Sequence, residues 1–142
     1  REGASRDARD AVIHPFAAAE MDTEARLLLP AGTQGPAFLV TPNFFVLKRY
    51  NVSDLYALFI GNTGDRIAYG SGDFRTPWQP VDTLLRSEVA QIQGRLIEKG
   101  YDTGGADGLP GAKTRRAIGE WQTAEGLKLT CFPSRAVFNA LQ

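Results

Sequence analysis

The sequence predicts a mainly α protein made of two small units in tandem, and three observations carry that expectation. Apolar residues recur at the helical period over Leu85, Val89, Ile92 and Leu96, then over Thr114, Ala117, Ile118 and Trp121, and again over Val137, Ala140 and Leu141. Between Tyr69 and Pro80 the chain has two glycines, two prolines and little periodicity, as a connection between units has. A chain of 142 residues with 43% apolar content is too apolar for disorder and long enough for two small cores. The expected boundaries are 1–70 for the first unit, 71–82 for the linker and 83–142 for the second.

Arg1 to Glu24 is a charged, Ala-rich lead-in of weak structural preference, interrupted by Pro15. Leu27-Leu28-Leu29, closed by Pro30, is too short for a helix and suits a buried strand. Ala31 to Pro36 has the Gly and Pro content of a loop, and Ala37-Phe38-Leu39-Val40 is a second apolar run. Phe44 to Tyr50 is ambiguous: its aromatic and β-branched residues favour a strand, whereas Asn43 before it suits a helix cap. Asn51 or Ser53 is placed to cap a further helix, in which Leu55, Phe59 and Ile67 share a face, weakened by Gly61 and Gly64.

In the second unit Asp82 or Thr83 is the expected cap of the first helix, and Gly100 its stop. Gly104, Gly105, Gly108 and Gly111 meet the need of a tight turn for positive φ, and Asp107 is placed to accept backbone N–H groups there. The second helix turns Trp121 inward and Lys113, Arg115, Arg116 and Glu120 outward, and Gly126 ends it. Ser134 caps a short third helix. Helices this short do not persist alone in water, so the three are expected to bury their stripes together.

Lys+Arg and Asp+Glu are equal at 16 each, so no net field draws the chain to nucleic acid or an anionic membrane. Cys131 and His14 are each the only residue of their kind. An internal disulfide is therefore excluded, and a protein-built metal site or cofactor centre is not expected. Cys131 reads as a small buried hydrophobe. No apolar run approaches the roughly 20 residues that span a bilayer. The chain begins at Arg, as an internal fragment or processed product would.

The second unit resembles the three-helix peptidoglycan-binding module of bacterial cell-wall enzymes. The residues that carry the likeness are Ile92-Gln93, Leu96, Gly100-Tyr101-Asp102, Gly104, Asp107-Gly108, Gly111, Thr114-Arg115, Ala117-Ile118 and Trp121-Gln122. The resemblance implies a shallow cleft beside the turn, with Tyr101, Asp102, Asp107, Arg115 and Gln122 as candidate contacts to glycan strands and stem peptides. Arg115 and Arg116 could pair bidentately with stem-peptide carboxylates, but a solvated helix face is the favoured reading of either one. Thr130 to Ser134 departs from the Asp-Gly turn expected before the third helix.

Leu27 to Ile67 resembles the last part of the catalytic domain of B-type lytic murein transglycosylases, an α-rich, lysozyme-like fold with loops. The matches are Leu29 to Gly32, Gly35 to Leu39, Asn43-Phe44, Arg49-Tyr50-Asn51, Ser53, Tyr56 to Leu58 and Asp65 to Ile67. The resemblance implies that Asn43 to Tyr50 is helical and that Tyr50, Asn51 and Tyr56 border a glycan cleft. Tyrosines pack on sugar faces, and an asparagine amide both donates and accepts hydrogen bonds. The structural alternative makes the tyrosines boundary residues and Asn51 a cap.

Enzymes of this family cleave the bond between N-acetylmuramic acid and N-acetylglucosamine with 1,6-anhydromuramic acid formation, in the periplasm or cell envelope. Their acid is a glutamate in a Glu-Ser-rich motif upstream of the matched region, and such a carboxyl needs an apolar pocket to raise its pKa. This sequence has no such motif, so no catalytic residue is assigned and the chain alone is expected to be inactive. A missing N-terminal catalytic segment or partner chain would complete the cleft. The alternative class is a non-catalytic wall-binding or scaffold protein.

Overall fold

The computed structural model describes residues 22–70, 74 and 76–142. His14, Pro15, Glu20 and most of the charged lead-in lie outside these residues, as do Ser71 to Asp73 and Arg75 of the expected linker. The first half holds strands β1 (Arg26–Leu28) and β2 (Phe38–Val40), then helices α1 (Pro42–Tyr50) and α2 (Asp54–Tyr69). The second holds α3 (Arg86–Glu98), α4 (Ala112–Ala124) and α5 (Arg135–Ala140).

Both short apolar runs are strands, paired antiparallel with Leu27 opposite Leu39 and Leu28 opposite Phe38. The first is not buried as expected. A two-stranded ribbon has one face to offer the core, so Leu28, Phe38 and Val40 turn inward while Leu27 and Leu39 face solvent. A 3-10 turn, Gly32–Gln34, lies in the connection.

The ambiguity at Phe44 resolves as helix. Pro42 occupies the first turn, where its missing N–H costs nothing, and Lys48 and Arg49 complement the C-terminal dipole. The preceding cap residue is Thr41, and Asn43 already lies within the helix. Ser53 Oγ accepts from Tyr56 N–H to cap α2, and Gly70, at φ +61°, closes it.

The expected stripe of α2 is corrected. Leu55, Phe59 and Ile67 are exposed, and the buried contact is Ala57, which packs with Val40 and Phe44. Alanine allows α1 a close approach, and the larger apolar side chains are carried on the other face.

In the second half α3, α4 and α5 share a core of Ile92, Leu96, Ala117, Ile118, Trp121, Val137 and Leu141, with Leu84, Tyr101 and Phe138 at its edge. Three expectations are corrected here. Helix α3 starts later than expected: Leu85 is its exposed N-cap residue, its N–H held by Glu88, so Leu85 is no part of the stripe. Asp82 accepts instead from Arg135 N–H and so serves the first turn of α5. Ala140 faces outward, and Phe138 takes its place against the core.

The segment before α3 is docked. Phe74 and Trp78 lie against Phe38, with ring centroids 5.5 and 6.3 Å from it. Gln79 N–H donates to Gln34 O at 2.8 Å. The halves also touch directly, because Thr33 N–H donates to Thr130 O at 2.9 Å and Thr33 Oγ1 to Leu129 O at 3.1 Å. Gly32 makes this approach possible. A Cβ there would lie 2.0 Å from Thr130 O, and its φ is +58°.

Candidate functional site

The glycine-rich turn between α3 and α4 is organised by Gln93, buried on α3. Its Oε1 accepts from Gly108 N–H at 2.7 Å. Its Nε2 donates to Thr114 Oγ1 at 3.0 Å and to Asp107 Oδ1 and Leu109 O at 3.2 Å. One amide on α3 therefore fixes the end of the turn and ties it to α4. Thr114 Oγ1 extends the network to Thr103 O at 3.2 Å. Arg86 closes it from outside, Nε donating to Asp107 O at 2.8 Å. Gly108 is held so closely that a Cβ would meet Arg86 O at 2.3 Å.

Asp102 and Asp107 stand exposed on this turn. Asp102 accepts from Lys113 Nζ at 2.8 Å and Gly104 N–H at 2.9 Å, and these bonds, Lys113 first, hold its carboxyl below the ordinary range. Asp107 is lowered likewise, chiefly by Leu109 N–H and then by Gln93. Both are fixed carboxylates with open edges toward solvent. Tyr101 is half-buried, its ring packed against the module core.

Two predicted contact residues are spent on structure. Gln122 is buried, its Oε1 accepting from Thr130 and Cys131 N–H at 2.9 and 3.0 Å and its Nε2 donating to Thr130 Oγ1 at 2.8 Å. It holds the turn that departs from the expected Asp-Gly pattern, where Cys131 adopts φ +53°. Partial burial pushes the Cys131 thiol up, but the residue is half-buried and not the fully buried hydrophobe expected.

Arg115 was expected to face outward, and that is corrected. It is buried, with Nη2 donating to Asp54 Oδ2 at 2.7 Å and Nη1 to Pro110 O at 3.0 Å. The first turn of α4 lies against the N-terminus of α2, so a face that would be solvated in an isolated module is covered. Arg116 does face outward, paired with Glu120 at 3.0 Å.

The first-half candidates stand at the end of α1 and the start of α2, the helix that Asp54 begins. Tyr50 and Tyr56 stack at 6.1 Å between centroids with 29° between planes. Tyr50 is 85% exposed, so its second face is open. Asn51 ends α1, and its Oδ1 accepts from Ser53 N–H at 2.9 Å, which makes it the cap of the structural alternative on its acceptor side. Lys48 and Arg115 bind different oxygens of Asp54. Burial alone would raise the Asp54 pKa; hydrogen bonds from the two cations outweigh it and hold the carboxyl below its ordinary range.

Sequence reasoning did not select Gln93, Asp54 or Lys48 as functional residues. Gln93 carried a signal, a polar residue beside Ile92 on an otherwise apolar stripe. A separate cavity of about 310 Å³ is lined by Glu24, Arg26, Pro42, Phe45, Val46 and Arg49. Glu24 there is exposed and paired with Arg26 at 3.5 Å.

Comparison with known families matches residues 3–65 to the transglycosylase SLT domain and residues 86–141 to the putative peptidoglycan binding domain. The chain thus joins a transglycosylase SLT domain region to a peptidoglycan-binding domain.

Among solved structures it is similar to SltB3 from Pseudomonas aeruginosa, at 38% identity in two complexes. The complex with NAG-anhNAM-pentapeptide superposes with a TM-score of 0.73 over 89% of this chain. The complex with NAG-NAM-pentapeptide superposes at 0.72 over 90%. The match spans 34% of the SltB3 chain in both. No curated protein sequence matches the chain.

Proposed function

We propose that this chain binds peptidoglycan in the bacterial cell envelope, as the wall-binding region of a lytic murein transglycosylase. The observation that carries the reading is the succession of two families in one chain, similar at 38% identity to a protein crystallised with NAG-NAM-pentapeptide. The geometry agrees with it. The open face of Tyr50 suits a pyranose ring, and Asp102 and Asp107 offer fixed acceptors to amide and hydroxyl donors of sugars and stem peptides. Tyr101, at the start of the turn, adds a partly exposed aromatic edge. Arg115 supports that surface from beneath through Pro110 O and Asp54, whereas Gln122 holds the separate turn at Thr130 and Cys131.

The reaction we assign to the parent enzyme is cleavage of the MurNAc–GlcNAc bond with 1,6-anhydromuramic acid formation. Its general acid lies outside the described residues. Glu24, Glu98, Glu120 and Glu125 are exposed and Glu88 is paired with Arg135, so none stands in the apolar pocket that would keep a carboxyl protonated. This observation also favours a second reading, a non-catalytic wall-binding protein whose first half is scaffold.

Incubation of the purified chain with peptidoglycan, followed by mass spectrometry of soluble products, separates catalysis from binding. No 1,6-anhydromuropeptides are expected from the chain alone, whereas titration with a disaccharide pentapeptide should saturate. Release of anhydro products would contradict the expectation that the chain alone is inactive, and absence of saturable binding would contradict the proposal.

A further inference from the structure

We propose that the Asp54–Arg115 pair is a positioning contact that locks the Tyr50–Tyr56 pair and the turn from Asp102 to Gly111 into one continuous binding surface. The chain then selects glycan strands long enough to lie across both. This deepens the peptidoglycan reading and rests on it.

The pair gathers three elements at one point. Asp54 is the first residue of α2, Lys48 lies in the last turn of α1, and Arg115 lies in the first turn of α4. The side chains of Arg115 and Asp54 are 10% and 9% exposed. Tyr50 follows Lys48 by two residues and Tyr56 follows Asp54 by two, so the stacked rings are carried by the same two helix ends that this carboxylate ties together. On the other side, Arg115 also holds Pro110 O, at the end of the turn that carries Asp107. A single guanidinium thus ties the start of the helix that carries Tyr56 to the end of the turn.

One contact would leave a hinge, and a second set removes it. Thr33 is bonded to Leu129 and Thr130, Gly32 lies under Thr130, and Trp78 covers Gly35. Contacts at two separate places set rotation as well as distance. Two weak sites held at fixed spacing act as one stronger site for a ligand that spans them, because the second engagement is intramolecular and its ordering cost is already met. A short ligand gains nothing.

The test uses the whole chain. Spin labels on Asp65→Cys and Lys99→Cys, in a Cys131→Ser background, report the distance between the halves. A single narrow distribution is expected, broadened in Asp54→Ala/Arg115→Met. In parallel, affinity is measured for a disaccharide pentapeptide and for strands of several disaccharides. Strands should bind the unlabelled wild-type chain about tenfold more tightly than the disaccharide pentapeptide, and the double variant should lose that gain, binding both lengths about equally.

If the double variant does not fold, Arg115→Lys keeps the charge, removes the fork that reaches Asp54 and Pro110 together, and should move both readouts the same way. A broad distribution in the chain with Asp54 and Arg115 intact overturns the proposal. So does equal affinity for both lengths, which leaves the peptidoglycan reading standing. Binding of neither length overturns that reading, and this inference with it.

Discussion

Asp54 and Arg115 are 61 residues apart in the chain and meet at 2.7 Å, in a contact from which most water is excluded. The pair joins the two halves of the protein, so its removal should be felt as stability. Asp54→Ala leaves Arg115 with only the Pro110 carbonyl and leaves Lys48 without its partner. A cost of about 3 kcal/mol is expected, because one charge remains buried without its counter-ion. Asp54→Ala/Arg115→Met should cost less than Asp54→Ala alone. Urea unfolding of the three proteins checks the order.

Acid should weaken the protein with a definite sign. Asp54, Glu88, Asp102 and Asp107 all have pKa values lowered in the folded state. The unfolded chain therefore takes up protons at higher pH than the folded one. The stabilisation is complete above the ordinary carboxylate values, 3.8 for Asp and 4.5 for Glu, and is lost as pH falls through the lowered values. A flat thermal midpoint above about pH 6 and a steep fall below about pH 4 are expected. Asp54→Asn should have a lower plateau and a shallower acid limb.

Gln93→Leu should loosen the glycine-rich turn without touching its exposed surface. It leaves the Gly108 N–H without an acceptor inside the protein, and a loss of about 3 kcal/mol is expected for the group as a whole. Gly108→Ala should be at least as damaging as a typical left-handed strain of about 1–3 kcal/mol, because the added Cβ also meets backbone. Thermal unfolding measures both, and weakened glycan binding should accompany them.

Tyr50→Ala separates binding from folding. The side chain is largely solvated, so stability should change by no more than about 0.5 kcal/mol. Affinity for glycan should fall, as seen by titration with soluble fragments. Equal affinity in the variant would remove Tyr50 from the binding surface.

Much of this was legible in the sequence wherever a residue's environment is set by its own element. Val89, Ile92 and Leu96 are buried as their spacing requires, Ser134 caps α5, and Trp121 lies in the core. Arg115 shows where that reading ends. Its neighbours mark it as outward on an isolated helix, and only the packing of the other half buries it. The exposed stripe of α2 has the same cause in reverse, since periodicity names an apolar face without naming what covers it. Phe44 to Tyr50 was decided as helix by family resemblance against local β preference, and Pro42 supplies the physical reason. Gln93 was hidden because a buried amide has no periodic signature, only its partners.

Co-sedimentation with insoluble peptidoglycan tests the central claim most directly. The account predicts that the intact chain pellets saturably, that soluble muropeptides compete, and that Tyr50→Ala pellets less. A chain that stays in the supernatant at every peptidoglycan concentration would contradict it, leaving a wall-binding fold without wall binding.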